Sequence, residues 1–216
     1  MPFYKSIVLN QHTTAYFWKI TEDVTSLFRA VSMKDTSLFR YENMKSESHQ
    51  KGFLAVRMLL QSIGYSDFDL IYDESGKPHL EKKETKKKLN ISISHSFDFS
   101  CICISQKSIV GIDIEILKPK ILRIAPKFMD LSHLNNLSES EQIEKATVIW
   151  GAKESIFKIK SEKGISFPKH IFEDAFSVND KRCKAELRFN NSIETFTIQF
   201  YNVEDYIFVA ALAEQK

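Results

Sequence analysis

A long helical pattern followed by three strand-like runs occurs twice in this chain, and nothing else in the sequence constrains the fold as much. In the first half, residues 47–63 place Phe53, Leu54, Val56, Leu59 and Leu60 at helical spacing. Strand-like runs follow at Asp69–Tyr72, Leu89–Ser94 and Phe99–Ile104. In the second half a helical pattern covers Ser140 to Lys160, with strands near Ala185–Phe189, Glu194–Tyr201 and Tyr206–Leu212. A helix and then a run of strands predicts an α+β protein. The repetition predicts a pseudo-twofold duplication, each half packing its long helix on a three-stranded antiparallel sheet. The division falls at 1–110 and 111–216, with no low-complexity linker. A ligand cleft is expected between the halves, a common place for a site.

At the junction stands Val110-Gly111-Ile112-Asp113-Ile114-Glu115. Ile112 and Ile114 alternate with the two carboxylates, the pattern of a half-buried strand. Asp113 and Glu115 therefore leave one face side by side, where like charges raise one another's pKa. A cation relieves this, and Mg²⁺ takes one or two carboxylates together with substrate phosphates. A solvated edge-strand face would show the same triplet.

Downstream, Trp150-Gly151-Ala152-Lys153-Glu154-Ser155-Ile156-Phe157-Lys158 lies inside the second helical pattern. Ile149, Ala152, Ile156 and Ile159 make one apolar stripe, with Trp150 and Phe157 as a second flank. Glu154 and Lys158 point away from the stripe, one turn apart. They are either an ordinary i,i+4 surface pair or residues of a cleft.

Charge and composition exclude several classes. A formal net charge of +2 does not make a nucleic-acid protein by bulk electrostatics. The run Glu81-Lys82-Lys83-Glu84-Thr85-Lys86-Lys87-Lys88 has no interleaved aromatic residue and reads as a solvated loop; docking of an acidic carrier or a phosphate-rich ligand is its other use. No run approaches the 18 apolar residues of a membrane span, and no N-terminal leader pattern is present. Cys101, Cys103 and Cys183 lack metal spacing, and the first two sit in an apolar run as buried free thiols. A reduced, cytoplasmic setting is expected.

Taken together, the G-I-D-x-E and W-x-x-K-E-S-x-x-K segments resemble the signature of the 4′-phosphopantetheinyl transferases, the two-subdomain type associated with surfactin synthetase. Gly76-Lys77-Pro78 and Asn90-Ile91-Ser92-Ile93-Ser94-His95-Ser96 are similar to two further marks of that family. The resemblance covers roughly residues 40 to 170, in the family's order. It implies a pseudo-twofold monomer that moves the 4′-phosphopantetheine group of coenzyme A to a serine of an acyl or peptidyl carrier protein, with Mg²⁺, releasing 3′,5′-ADP. It places the metal at Asp113, Glu115 and Glu154, makes Glu154 the candidate base, and sets Lys158 on the phosphate. It also implies that Lys77, Pro78, Ser94 and His95 contact the adenosine end, His95 at the 3′-phosphate. His49 and Lys51, at the start of the first helix, complete the basic phosphate contacts.

Two departures stand out. Ser48 aligns where the family keeps a basic residue, and His133 takes the place of a glutamate that orders water at the metal. His133 favours a second reading, a non-catalytic carrier- or nucleotide-binding module on the same scaffold. A third reading, an RNA-binding module using the Lys82–Lys88 loop, would show salt-dependent RNA binding and no coenzyme A affinity.

Overall fold

The computed structural model describes residues 3–82 and 87–213 and divides between Lys107 and Ser108 into two units, each with its own core. The first unit opens with a hairpin of Phe3–Asn10 (β1) and Thr13–Lys19 (β2). Three helices follow: Val24–Ala30 (α1), Asp35–Glu42 (α2) and Glu47–Ser62 (α3). Leu70–Tyr72 (β3), Pro78–Lys82 (β4), Lys87–Ser96 (β5) and Phe99–Ser105 (β6) complete a six-stranded antiparallel sheet of order β1-β2-β6-β5-β4-β3. Leu54, Ala55, Leu59 and Leu60 of α3 are buried in one cluster with Leu70, Leu80 and Ile102. This burial is the hydrophobic return for ordering a helix that has no side-chain cap at Ser46.

The second unit begins with Val110–Ile116 (β7) and the short helix Lys120–Ile124 (α4). The long helix Glu139–Lys160 (α5) starts at a capping box, Ser138 and Glu141 satisfying one another's backbone amides, and stops at Ser161 in the left-handed region. Phe167–His170 (α6), Ile171–Glu173 (β8), Arg182–Phe189 (β9), Ser192–Val203 (β10) and Tyr206–Ala213 (β11) follow. The strand order is β7-β11-β10-β9-β8, antiparallel throughout. β9 and β10 meet at Asn190-Asn191, both at positive φ, which suits a two-residue hairpin turn.

Leaving β1 aside, β2-β6-β5-β4-β3 in the first unit reads element for element like β7-β11-β10-β9-β8 in the second. In both, the strand before the long helix pairs with the unit's last strand. The sheets are wider than the three strands expected from pattern, at six and five. The physical reason is length and position. β8 has three residues and β4 five, too short to show alternation, while β1 and β2 lie upstream of the helix that drew the pattern. Residues 83–86 of the lysine-rich run lie outside the described residues. Among the described residues, no helix is long and apolar enough to cross a membrane.

Candidate functional site

The apolar stripe Ile149, Ala152, Ile156 and Ile159 is buried in the core of the second unit. Trp150 packs edge-on against Phe128 and Phe167, and Phe157 against the same Phe167. That fixes the rotation of α5. A neighbouring stripe, Gly151, Glu154, Ser155 and Lys158, at i, i+3, i+4 and i+7, then lies over β7 and β11.

Two glycines make the approach close. A Cβ on Gly111 of β7 would stand 1.9 Å from the Ser155 carbonyl oxygen, and one on Gly151 would meet Val209 Cγ2 at 2.6 Å. The same Gly151 position is 3.8 Å from Asp113 Cβ, so the helix rides directly above Asp113. Both glycines stand inside the motifs, where spacing alone assigns them no role. A glycine inside a long helix, costing about 1 kcal/mol against alanine, was the available signal.

Asp113 is only 4% exposed, so β7 is covered on its carboxylate face and is not the half-buried strand its alternation suggested. The cover is α5. Lys158 Nζ donates to Asp113 Oδ1 at 2.9 Å and to the Ile112 carbonyl at 2.9 Å, while the lysine side chain stays 30% exposed. Lys158 is therefore held to the strand, and it also acts electrostatically on Glu154. Glu154, half-buried, has its carboxyl pushed above the usual range by burial, then by Asp113, with Lys158 opposing. Glu115, two residues beyond Asp113 and half-buried, pairs across to Ile207.

Asp113, Glu154 and Lys158 thus share one small neighbourhood with two carboxylates to one ammonium. A divalent cation fits that donor set, because Mg²⁺ is commonly held by one or two carboxylates with substrate oxygens and water. Among the described residues, no three Asp, Glu, His or Cys side chains form a ready-made cage.

Beside this site lies a charged cluster that sequence reading missed. Lys153, 3% exposed, points the other way from Glu154, donates to the Ile171 carbonyl at 2.7 Å and meets Glu173 Oε2 at 3.0 Å. Burial pulls the Lys153 ammonium below its usual range, and Glu173 opposes that. His133 Nε2 lies 3.8 Å from the other Glu173 oxygen. Asp130, the nearest acid to His133 in sequence, instead caps its own turn by accepting from Ser132 N. Glu173→Gln keeps an acceptor but strips the buried ammonium of its counter-charge, so about 2 kcal/mol of stability should be lost. Denaturant midpoints check this, and adding Lys153→Met should restore most of the loss. An unchanged midpoint in Glu173→Gln would show that the pair is not a buried charge pair.

In the first unit, a cavity of about 250 Å³ is lined by Arg40, His49, Gly52, Phe53, Tyr72 and His95, among others. His49 and His95 meet edge to face at 5.8 Å. Gly52 allows this, since a Cβ there would strike the His95 ring at 2.7 Å. The Arg40 guanidinium lies over Tyr72, 4.8 Å from the ring centre, and no carboxylate pairs with it among the described residues. Arg57 also lines the cavity; it is buried and bonds Asp67, Ser37 and the Phe53 carbonyl.

The remaining expected contacts do not line this cavity. Ser94 is buried on β5, between Ile93 and His95, which do line it. Lys51 pairs with Glu47 one turn back, at 3.0 Å. Lys77 ends the β3–β4 loop, and Pro78 opens β4 opposite Tyr72.

Residues 109–211 match the family model described as the 4′-phosphopantetheinyl transferase superfamily. The chain is similar to the 4′-phosphopantetheinyl transferase Sfp of Bacillus subtilis strain 168, 34% identical over 52% of this chain and 48% of that protein. A second Bacillus subtilis 4′-phosphopantetheinyl transferase is 32% identical over 50% of this chain and 46% of its own length. A putative 4′-phosphopantetheinyl transferase of Synechocystis is 27% identical over 53% and 50%. The chain thus matches about half the length of these curated relatives.

Proposed function

From the premise that residues 109–211 are a domain of the 4′-phosphopantetheinyl transferase superfamily, we propose that this chain transfers the 4′-phosphopantetheine group of coenzyme A to a carrier-protein serine. The observation that carries the reading is the meeting of Asp113, Glu154 and Lys158, from two segments more than forty residues apart, at a 2.9 Å ion pair.

Asp113 and Glu154, with Glu115 from the same strand face, would hold Mg²⁺, which when bound neutralises charge on a pyrophosphate. Lys158 would give a point charge to the phosphate oxygens, exchanging Asp113 for the ligand. The serine oxygen attacks the β-phosphorus, the bond from that phosphorus to the bridging oxygen breaks, and 3′,5′-ADP departs. The serine proton would pass to Glu154, the carboxylate that faces Asp113 from the helix.

In the first unit, the cavity would take the adenosine end of coenzyme A. Arg40, His49 and His95 offer cationic or protonatable groups beside Arg57, which Asp67 already engages, and apolar side chains, a combination suited to a phosphorylated nucleoside. Arg40 would compensate for Ser48, and Lys51, Lys77, Pro78 and Ser94 would complete the surroundings. The shared strand order of the two units supports a pseudo-duplicated monomer, and a cytoplasmic setting fits the substrate.

The test is mass spectrometry of an apo carrier protein incubated with the chain, coenzyme A and Mg²⁺. A gain of one phosphopantetheine on serine, abolished by EDTA, is expected. Unmodified carrier that nonetheless binds the chain would establish the non-catalytic module instead, the reading that His133 beside Glu173 favours. The adenosine end is tested with dephospho-coenzyme A. Wild type should prefer coenzyme A by a modest factor, about three- to tenfold, and His95→Ala should erase much of that preference. A variant that still discriminates as well as wild type would remove His95 from the 3′-phosphate.

A further inference from the structure

The loop between β3 and β4 is organised by one exposed carboxylate. Asp73 Oδ1 accepts from the Ser75 amide at 2.9 Å, the Ser75 hydroxyl at 2.6 Å and the Lys77 amide at 3.0 Å. Its other oxygen lies 3.0 Å from His79 Nε2. The backbone adds two more bonds, Asp73 N to the Lys77 carbonyl and Gly76 N to the Asp73 carbonyl, with Gly76 at φ +83°. The carboxyl is held well below the usual carboxylate range, by the Ser75 hydroxyl first and His79 next. Asp73 thus folds the five-residue connection as a turn of the Asx kind above the Tyr72–Pro78 pair at its base.

The position of the loop gives those bonds a purpose. Tyr72, the residue before Asp73, lines the cavity of the first unit and carries the Arg40 guanidinium on its ring. Lys77 is not itself among the lining residues, but it stands one residue from Pro78, the cross-strand partner of Tyr72, so the loop adjoins the cavity wall. We propose that Asp73 is a positioning residue that prefolds the loop so that the Lys77 ammonium is set at the cavity rim for the phosphorylated nucleoside of the substrate. An unbraced loop would have to be ordered on binding, and that ordering is subtracted from affinity. This inference rests on the reading of the cavity given above.

Titration calorimetry with coenzyme A, on wild type, Asp73→Ala, Asp73→Asn, Lys77→Ala and the Asp73→Ala/Lys77→Ala double variant, tests it. Asp73→Ala should weaken binding about five- to tenfold. Asp73→Asn keeps the oxygen that accepts from Ser75 and Lys77 and should recover most of that loss. The double variant should bind about as Lys77→Ala does, because Asp73 acts through Lys77. In turnover the change should fall on KM for coenzyme A, with kcat at saturation unmoved. Thermal midpoints should stay within about 1–2 °C, since the side chain is exposed. Full additivity of Asp73→Ala and Lys77→Ala, or equal binding by Asp73→Ala and wild type, overturns the inference and leaves the cavity reading standing. A wild type that binds no coenzyme A overturns the cavity reading and the inference with it.

Discussion

Asp113→Asn is expected to lower kcat/KM by about 10²–10³-fold while leaving the fold in place. The substitution keeps the volume of a side chain that is 4% exposed beneath α5, so no cavity opens in the tight helix–strand contact. It removes a negative charge from a neighbourhood whose worth lies in charge. Lys158 is not stranded by the loss, because it still donates to the Ile112 carbonyl at 2.9 Å and remains 30% exposed. The stability cost should therefore stay near 1 kcal/mol. Two effects act on rate. One of the oxygens proposed for Mg²⁺ becomes a neutral amide, and Glu154 loses the anionic neighbour that helps raise its carboxyl. Single-turnover transfer at saturating Mg²⁺, alongside thermal melts, separates rate from folding. A variant that folds and transfers within a few-fold of wild type would end the assignment of Asp113 to the metal.

How much of this was legible beforehand depends on what each element needed. α5 was readable because a 22-residue helix repeats its apolar positions often enough to show them, and every residue of its expected stripe is buried. The carboxylates and Lys158 were readable as a motif, yet their relation was not. Sequence left Glu154 and Lys158 as either a surface pair one turn apart or residues of a cleft, and could not show that Lys158 bonds Asp113 and the Ile112 carbonyl on another element. Non-local pairing of this kind is decided by packing, here by Gly111 and Gly151, and packing leaves no periodic trace. Lys153 and Glu173 escaped for the same reason: twenty residues separate them, and Glu173 closes a three-residue strand. In the first unit, His49 and His95 were readable as candidates. The cavity they share was not, because Tyr72 and Phe53 reach it from β3 and α3 with no common spacing.

Gly111→Ala tests the packing that underlies the site, and its expected cost is large for so small a change. Alanine is no worse than glycine in a strand on propensity grounds, so the local effect alone would be neutral or mildly stabilising. The obstacle is the helix. The added methyl would stand 1.9 Å from the Ser155 carbonyl oxygen, 2.8 Å from its carbon and 3.0 Å from Ile159 Cγ1. The first two are backbone atoms, and no rotamer change can withdraw them. Relief requires α5 to lift from β7 by more than an ångström, against a core that holds Ile149, Ile156 and Ile159. Overpacking a side chain commonly costs about 1–3 kcal/mol, and a collision with helix backbone belongs above that range, at about 4 kcal/mol. Against a typical total of about 5–15 kcal/mol, such a loss should bring the denaturation midpoint down sharply. What folded protein remains should transfer poorly, since Glu154 and Lys158 would ride away from Asp113 with the helix. Gly151→Ala supplies the contrast. Its methyl meets Val209 Cγ2 at 2.6 Å, a side chain, so Val209→Ala should restore much of its stability. No truncation at Ser155 can do the same for Gly111→Ala, because the atom in the way is the peptide oxygen. A Gly111→Ala protein with a wild-type midpoint would mean that α5 does not lie this close to β7, and the geometry assigned to the site would fall with it.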